Sequence, residues 1–361
     1  MDYHALLAHF PKITYPRYKK LTARFLNLAS LWEAELEEIT AAGLDAAIAD
    51  EFIRWREATD SEKIFQTLEK EGISTVSIGQ AAYPKLLGEI NDPPHTLFIR
   101  GSLTSLDRSP AVAIVGTRKA TGYGKQVCEQ LARELAEQGV VVVSGLALGI
   151  DGVAHEAVLR AKAPTIAVLG SGVNKENITP TIHQRLAERI IECGGAVVSE
   201  YPPGFAPTAY SFPARNRIIA GLTLGTLVIE APLESGALIT ARAALDYNRD
   251  VFAVPHALMN INGEGCNKLI AQGALLVTKG TDIIEALQLK HLSNPIPNKQ
   301  RPLPDSPVEA AIVQVLSHEP THIDLIIKNT ALPSQAVNGS LVLMEMKGLV
   351  KNVGGMMYII L

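Results

Sequence analysis

Arg118 and the pair Arg215 and Arg217 are the residues whose type and setting most suggest chemistry. Arg118 closes the run Val115-Gly116-Thr117-Arg118, directly after an apolar stretch. Arg215 and Arg217 flank Asn216 in Ser211-Phe212-Pro213-Ala214-Arg215-Asn216-Arg217, behind a Tyr-Pro-Pro-Gly loop at 201–204. A guanidinium offers a planar fork of donors that matches a phosphate. An amide can read a base edge, and an aromatic ring such as Phe212 can stack on a base. That mixture suits single-stranded nucleic acid better than a compact metabolite. The plainer reading is that these arginines pair with Glu200 or Glu230 inside the fold, and the two readings can hold for different arginines.

Three small-residue corners accompany them. Ser144-Gly145-Leu146-Ala147-Leu148-Gly149-Ile150-Asp151 follows a valine run, and His155 stands four residues beyond Asp151. Its glycines permit close backbone approach, and Asp151 suits a helix N-cap. Asp151 and His155 share a helix face, as an acid–base pair or as a structural hydrogen bond. Gly170-Ser171-Gly172-Val173-Asn174-Lys175 ends a further apolar run, and Lys162 precedes that run; both lysines are candidate phosphate contacts. Ser235-Gly236 opens a helix after Glu230-Ala231-Pro232-Leu233-Glu234. Glu230 and Glu234 are candidate general acids or bases, which keeps a hydrolase in view. The first corner lacks the G-x-G-x-x-G of a dinucleotide site and has Arg118 where a glycine would be needed, so a nicotinamide cofactor is disfavoured.

The elements that must position these residues alternate regularly from 111 to about 290. Apolar strand candidates at 111–116, 140–144, 165–169, 196–199, 225–230, 250–254 and 274–278 are separated by helical stretches. This is the pattern of βαβ units in a doubly wound, mainly parallel α/β sheet, with its ligand edge at the carboxyl ends of the strands. Residues 1–75 read as a small helical domain, with one long helix expected over LTARFLNLASLWEAELEEI (Leu21–Ile39), and shorter ones over AAIADEFIRWREA and SEKIFQTLEKEG. Short strands at 73–78 and 96–101 join it to a Rossmann-like domain assigned to 76–290. Residues 291–307 hold five prolines and read as a linker. Residues 308–361 read as three helices and a hairpin, the order of a winged helix, with Ser334–Lys347 as its recognition helix.

Net charge is −4 over 361 residues, so a nucleic-acid site has to be a local patch. Residues 1–110 carry 12 Lys and Arg against 16 Asp and Glu, and 111–290 carry 16 of each. Residues 306–361 carry three lysines, no arginine and four acids, which favours protein contact over DNA contact there. Three scattered cysteines argue against a disulfide frame or zinc site. With no signal pattern and no apolar run near the roughly 18 residues of a membrane span, the expected location is cytoplasmic, with no membrane partner.

Taken together, VGTR, SGLALGIDGVAH, TIAVLGSGV, SEYPPG, FPARNRIIAGL, VIEA with SGALITARAAL, VFAVP and GCNKLIAQGA occur in order. The series resembles the bacterial DNA-processing family DprA/Smf over about 75–290, and the helical front and winged-helix tail resemble its long members. The resemblance implies an extended Rossmann fold that binds single-stranded DNA without a cofactor. It further implies a non-enzymatic mediator that helps load the RecA recombinase in natural transformation, works with single-strand-binding protein, and forms homodimers. By position, the family's phosphate loop falls on Gly116, Thr117 and Arg118, and its SGxAxGID corner on Ser144, Gly145, Gly149 and Asp151. Its FPxRNR segment falls on Phe212, Pro213, Arg215, Asn216 and Arg217, and its SGxLIT corner on Ser235 and Gly236. The chain departs from the family at Asn174–Pro180, which lacks a Tyr-Pro pair, and at Pro255-His256, where Pro-Gly is usual. Two other readings stand beside this one. A lysine-decarboxylase-like nucleotide N-glycoside hydrolase would want a PGGxGT signature, where this chain has APLESGAL. A winged-helix DNA-binding regulator would want a more basic tail.

Overall fold

A computed structural model describes residues 2–289, 304–317 and 319–360. They fall into two compact units, within Met1–Pro295 and Ile296–Leu361. The linker expected at 291–307 lies outside the described residues except for its last four positions.

The first unit is built on a nine-stranded sheet: β1 (Ile73–Ser77), β2 (Thr96–Gly101), β3 (Ala111–Val115), β4 (Val141–Ser144), β5 (Thr165–Val168), β6 (Ala196–Ser199), β7 (Gly225–Val228), β8 (Asp250–Ala253) and β9 (Leu275–Leu276). The spatial order is β1-β2-β6-β5-β4-β3-β7-β8-β9. From β6 to β9 every pairing is parallel, while β1 and β2 add an antiparallel edge. Every residue of β3 to β7 is buried, as a sheet covered by helices on both faces requires. Alternation within β3 serves both layers. Val112 and Ile114 pack with the helices Gly122–Glu137 and Ile150–Arg160. Ala113 and Val115 pack with the helices Ser211–Gly221 and Ala237–Asp246.

Strand order reverses between β3 and β7. The chain leaves β3 toward β4, β5 and β6 on one side, and later leaves β7 toward β8 and β9 on the other. Loops that follow these two neighbours diverge, and a crevice opens outside their carboxyl ends.

The front of the chain departs from expectation in one respect. The long helix over Leu21–Ile39 is three short ones: Tyr15–Arg24, Leu28–Glu33 and Leu36–Ala41. Local capping outcompetes apolar periodicity at both breaks. Asn27 accepts from Ala29 N at 2.9 Å and starts the second piece. The Arg56 guanidinium donates to the carbonyls of Leu31 and Ala34 at 2.8 and 3.0 Å, which satisfies groups a continuous helix would have used. The turns deliver Leu21, Phe25, Leu28 and Leu31 to one core with Phe10 and Phe52, but leave Leu36 exposed. These helices rest on the antiparallel edge: Ala8 and Leu68 share a cluster with Ile73 and Phe98, and Asp2 accepts from Thr75 Oγ1 at 3.0 Å.

The second unit is the expected three helices and hairpin: Pro307–Val315, Ile323–Thr330 and Ser334–Met346, with a sheet of β10 (Thr321–His322), β11 (Val350–Gly354) and β12 (Met357–Ile360) in the order β10-β12-β11. Its core gathers Ile312, Ile326, Val337, Leu341 and Met344.

Candidate nucleic-acid interface

Small residues at the ends of β3, β4 and β7 let three loops meet the helix Ser211–Gly221 at the switch point. Between them lies an open cleft of about 630 Å³. Gly116, Thr117, Arg118, Asp151, Phe212, Arg215, Asn216, Ser235 and Gly236 all line it. Ser144, Gly145 and Gly149 stand behind it. Ser144 is buried and donates to the Ile114 carbonyl at 2.6 Å, tying β4 to β3.

A helix N-terminus presents free N–H groups, and each one here must find an anion or an acceptor. Most find it within the protein. The helix Gly122–Glu137 is met by the buried Glu230 carboxylate, which accepts from Thr121 N at 2.9 Å and Thr121 Oγ1 at 2.8 Å. A β-carbon at Gly124 would stand 2.2 Å from Glu230 Oε2, so the glycine admits that carboxylate. Asp151 is the second residue of its helix rather than the cap, which is Gly149 at φ +78°. Its carboxylate turns back to accept from Ala147 N at 3.4 Å. At the helix Ser211–Gly221, Ser211 and Thr208 cap one another reciprocally. The corner at Ser235-Gly236 differs. Only Ser235 Oγ, at 3.3 Å from Ala237 N, supplements the backbone there, and nothing lies within 4 Å of where a Gly236 side chain would start. That glycine leaves room on the cleft side that the fold itself does not fill.

The two cleft arginines have different jobs. Arg215 is 4 % exposed, donates through Nη1 to the Val168 carbonyl, and faces the buried Asp151. Burial pulls its pKa down to about 10, Asp151 resists that fall, and Arg118 adds to it. Burial in turn pushes the Asp151 carboxyl up, against the pull of Arg215. A β-carbon at Gly145 would sit 2.0 Å from Arg215 Nη1, so Gly145 is the notch that admits the guanidinium. Arg118 is exposed, has no acidic partner within 4 Å among the described residues, and lies over the Phe212 ring at 5.3 Å. Lys119 beside it is exposed too and lines the same cleft. The outcome is a buried floor in which Arg215 faces Asp151, under an exposed, unneutralised rim with an aromatic face.

A family model for DNA recombination-mediator protein A matches residues 74–288, and one for the DprA winged helix domain matches residues 297–356. The chain belongs to the DprA/Smf family. Protein Smf of Escherichia coli strain K12 is 38% identical over 335 residues, covering 90% of this chain and 88% of that one. The X-ray structure of DNA processing protein A from Streptococcus pneumoniae superposes with a TM-score of 0.67 at 36% identity, over 79% of this chain and 98% of that one. DNA processing protein A from Helicobacter pylori, whose structure describes a single-stranded DNA binding mode, superposes with a TM-score of 0.54 at 35% identity, over 60% and 96%.

Three residues carried over or singled out for the DprA/Smf site stand apart from the cleft. Arg217 points to the other side of its helix. It pairs with Glu200 through Nη2, donates to the Asp92 carbonyl at 2.6 Å, and lies 3.5 Å from the Asp92 carboxylate. Two positions along a helix are about 200° apart, so Arg215 and Arg217 cannot share a face. Lys162 precedes β5 and falls at the amino ends of the parallel strands, the edge opposite the cleft. Lys175 is on the correct edge, exposed in a short 3-10 turn, but outside the lining. Lys119, Ile239 and Thr240 line the cleft and were not among the DprA/Smf positions named from sequence. Lys119 was legible as the neighbour of Arg118; Ile239 and Thr240 come from the turn after Gly236 and carry no charge to signal them.

The other chemical candidates have structural tasks. His155 is buried, bonds Thr165 Oγ1 at 2.8 Å and is pushed down to about 3 by burial, so Asp151 and His155 do not form a couple. His256 Nε2 bonds the Ile229 carbonyl at 2.8 Å. Among the described residues no group of three His, Cys, Asp or Glu is placed to hold a metal, and no helix is long and apolar enough to cross a membrane.

Proposed function

We propose that the chain binds single-stranded DNA at the switch-point cleft and acts as a recombination mediator without catalysing a reaction of its own. The observation that carries this reading is Arg118, exposed and without an acidic partner, over Phe212 at the mouth of a cleft whose floor is the buried Arg215. Arg118 and Lys119 take backbone phosphates. The open space beside Gly236, at the start of its helix, admits another phosphate. Phe212 stacks on a base, and Asn216, whose Nδ2 donates to the Gly236 carbonyl at 3.3 Å, turns its amide along the base edge. Arg215 serves as a fixed field beneath the strand and Arg217 as a support of the fold. Lys175 lies where a longer strand would pass, and Lys162 is left out of the path.

Family membership supports a wider role, in which the protein hands its strand to the RecA recombinase during natural transformation, meets single-strand-binding protein on the same strand, and works as a homodimer in the cytoplasm. The free thiols of Cys128, Cys193 and Cys266 fit a reducing compartment. The acidic balance of the winged-helix unit supports a protein partner there. An N-glycoside hydrolase fits less well, because both oxygens of Glu230 accept from Thr121 and Glu234 lies outside the cleft lining.

The test is fluorescence anisotropy of the full chain against a labelled single strand and the same sequence as duplex. Preferential binding of the single strand, weakening as salt rises, is expected. Equal binding of both forms, or release of free base from a nucleotide by the same sample, overturns the reading.

A further inference from the structure

A second cleft, of about 690 Å³, lies on the far side of the helix Ser211–Gly221. The turn between the first two helices forms one wall, through Phe10, Ile13 and Tyr15, and the loop after β6 forms the other, through Glu200, Tyr201, Pro202 and Phe205. Arg217 lines it and reaches the Asp92 and Glu200 carboxylates. Three features bear on what it would hold. Tyr201 and Phe205 are stacked, with ring centroids 4.3 Å apart and planes at 9°, which gives the wall a flat aromatic surface. Glu200 gives one carboxylate oxygen to Arg217, while its Oε1 is buried with no hydrogen-bond partner. Arg217 is already shared between two carboxylates, so the cleft has no spare cation for a phosphate.

An orphaned acceptor beside a flat aromatic wall calls for a planar ligand that donates N–H groups and carries no phosphate into the cleft. The two clefts are continuous along the chain. The loop that begins with Tyr201 and Phe205 ends at Ala209 and Phe212, which line the first cleft. Arg17, next to the lining residue Pro16, has no acidic partner within 4 Å among the described residues, and leaves a place for backbone phosphate at the rim.

We propose that this second cleft takes one unpaired nucleobase bearing an exocyclic amine, whose N–H is accepted by Glu200 Oε1 while its ring lies against the Tyr201–Phe205 pair. The proposal rests on the reading of the chain as a single-strand binder. It adds a base-discriminating pocket to a phosphate-holding cleft. Carboxylates accept from the cytosine N4 amine, and thymine has no such amine.

The test uses the full chain and ligands without phosphate. Trp55 lies 5.4 Å from Phe10, ring to ring, and Phe10 lines the cleft, so tryptophan emission reports on it. Titration with deoxycytidine is expected to change that emission saturably, with thymidine at least about fivefold weaker, the low end of the discrimination a good base-edge contact supplies. Phe205→Ala, checked for an unchanged thermal unfolding midpoint, is expected to weaken the deoxycytidine response at least about fivefold, since stacking contributes roughly 1–3 kcal/mol per base. Should that variant fail to fold, Glu200→Gln serves, and is expected to narrow the preference of deoxycytidine over thymidine. The response is expected to survive Arg118→Ala. Equal responses to the two nucleosides, no saturable response, or a full response in folded Phe205→Ala overturns the proposal. If any of these occurs while the chain still binds single strands, the second cleft alone falls; if no strand binds, the parent reading falls with it.

Discussion

Replacing Arg118 with alanine removes one exposed fork of donors from the mouth of the switch-point cleft. The fold gives little reason for the side chain to be there. It makes no ion pair within 4 Å among the described residues, its contact is the Phe212 ring at 5.3 Å, and its like charge adds to the lowering of the Arg215 pKa. Losing an exposed cation–π contact costs about 0.5–1 kcal/mol, and relief of the like-charge neighbour offsets part of that. Unfolding stability is therefore expected to change by no more than about 0.5 kcal/mol. DNA binding is expected to change in a defined way. One phosphate contact on a single strand contributes about 0.7 to the slope of log affinity against log salt. Between 50 and 200 mM salt a single contact is thus worth a further factor of about 2.6. The wild-type advantage over Arg118→Ala should shrink by that factor across the range. Arg118→Lys keeps the charge, so it should keep the slope while losing affinity, because it lacks the fork and the flat face. The assay is anisotropy of a labelled single strand at four or more salt concentrations. If Arg118→Ala matches wild type in both slope and affinity, the cleft does not hold the strand.

Gly145→Ala is expected to cost about 1–3 kcal/mol, since a β-carbon 2.0 Å from Arg215 Nη1 overpacks a buried guanidinium; chemical denaturation checks it. Glu230→Gln should cost about 1–3 kcal/mol by weakening the cap on Thr121, and should leave no missing hydrolytic activity to find. His155 is neutral when folded because burial pushes it down to about 3, against about 6.5 when unfolded. The unfolded chain therefore binds the extra proton, and stability is full above about pH 6.5 and falls as pH drops toward 3. Wild type should lose about 1–2 kcal/mol more than His155→Gln between pH 7 and pH 5, and parallel pH profiles would falsify this. An unlabelled duplex in excess should leave the single-strand anisotropy unchanged, since residues 306–361 carry three lysines, no arginine and four acids.

The layered α/β plan was legible because a parallel strand covered on both faces must be apolar throughout, and seven such runs recur from 111 to 278. The front of the chain was less legible. Apolar residues near helical spacing from Leu21 to Ile39 suited one helix, yet Asn27 and the distant Arg56 favour two breaks. A partner 25 residues away leaves no local trace. The corners at 116–118, 144–151, 212–217 and 235–236 were legible by residue type, and residues from all four line one cleft.

Sequence alone determined which residues carry donors suited to an anion, since that follows from side-chain type, and it placed the glycine-rich corners after the strands, at the carboxyl edge of the sheet. Tertiary structure decided which of them remain available. Glu230 comes from elsewhere in the chain to meet one helix N-terminus, Asp151 turns back onto the loop before its own helix, and Glu200 and Asp92 claim Arg217. Arg118 and the Ser235-Gly236 corner are left open because the fold brings no carboxylate to them. Whether a donor is free depends on where every acceptor ends up, and that is a property of the packed chain.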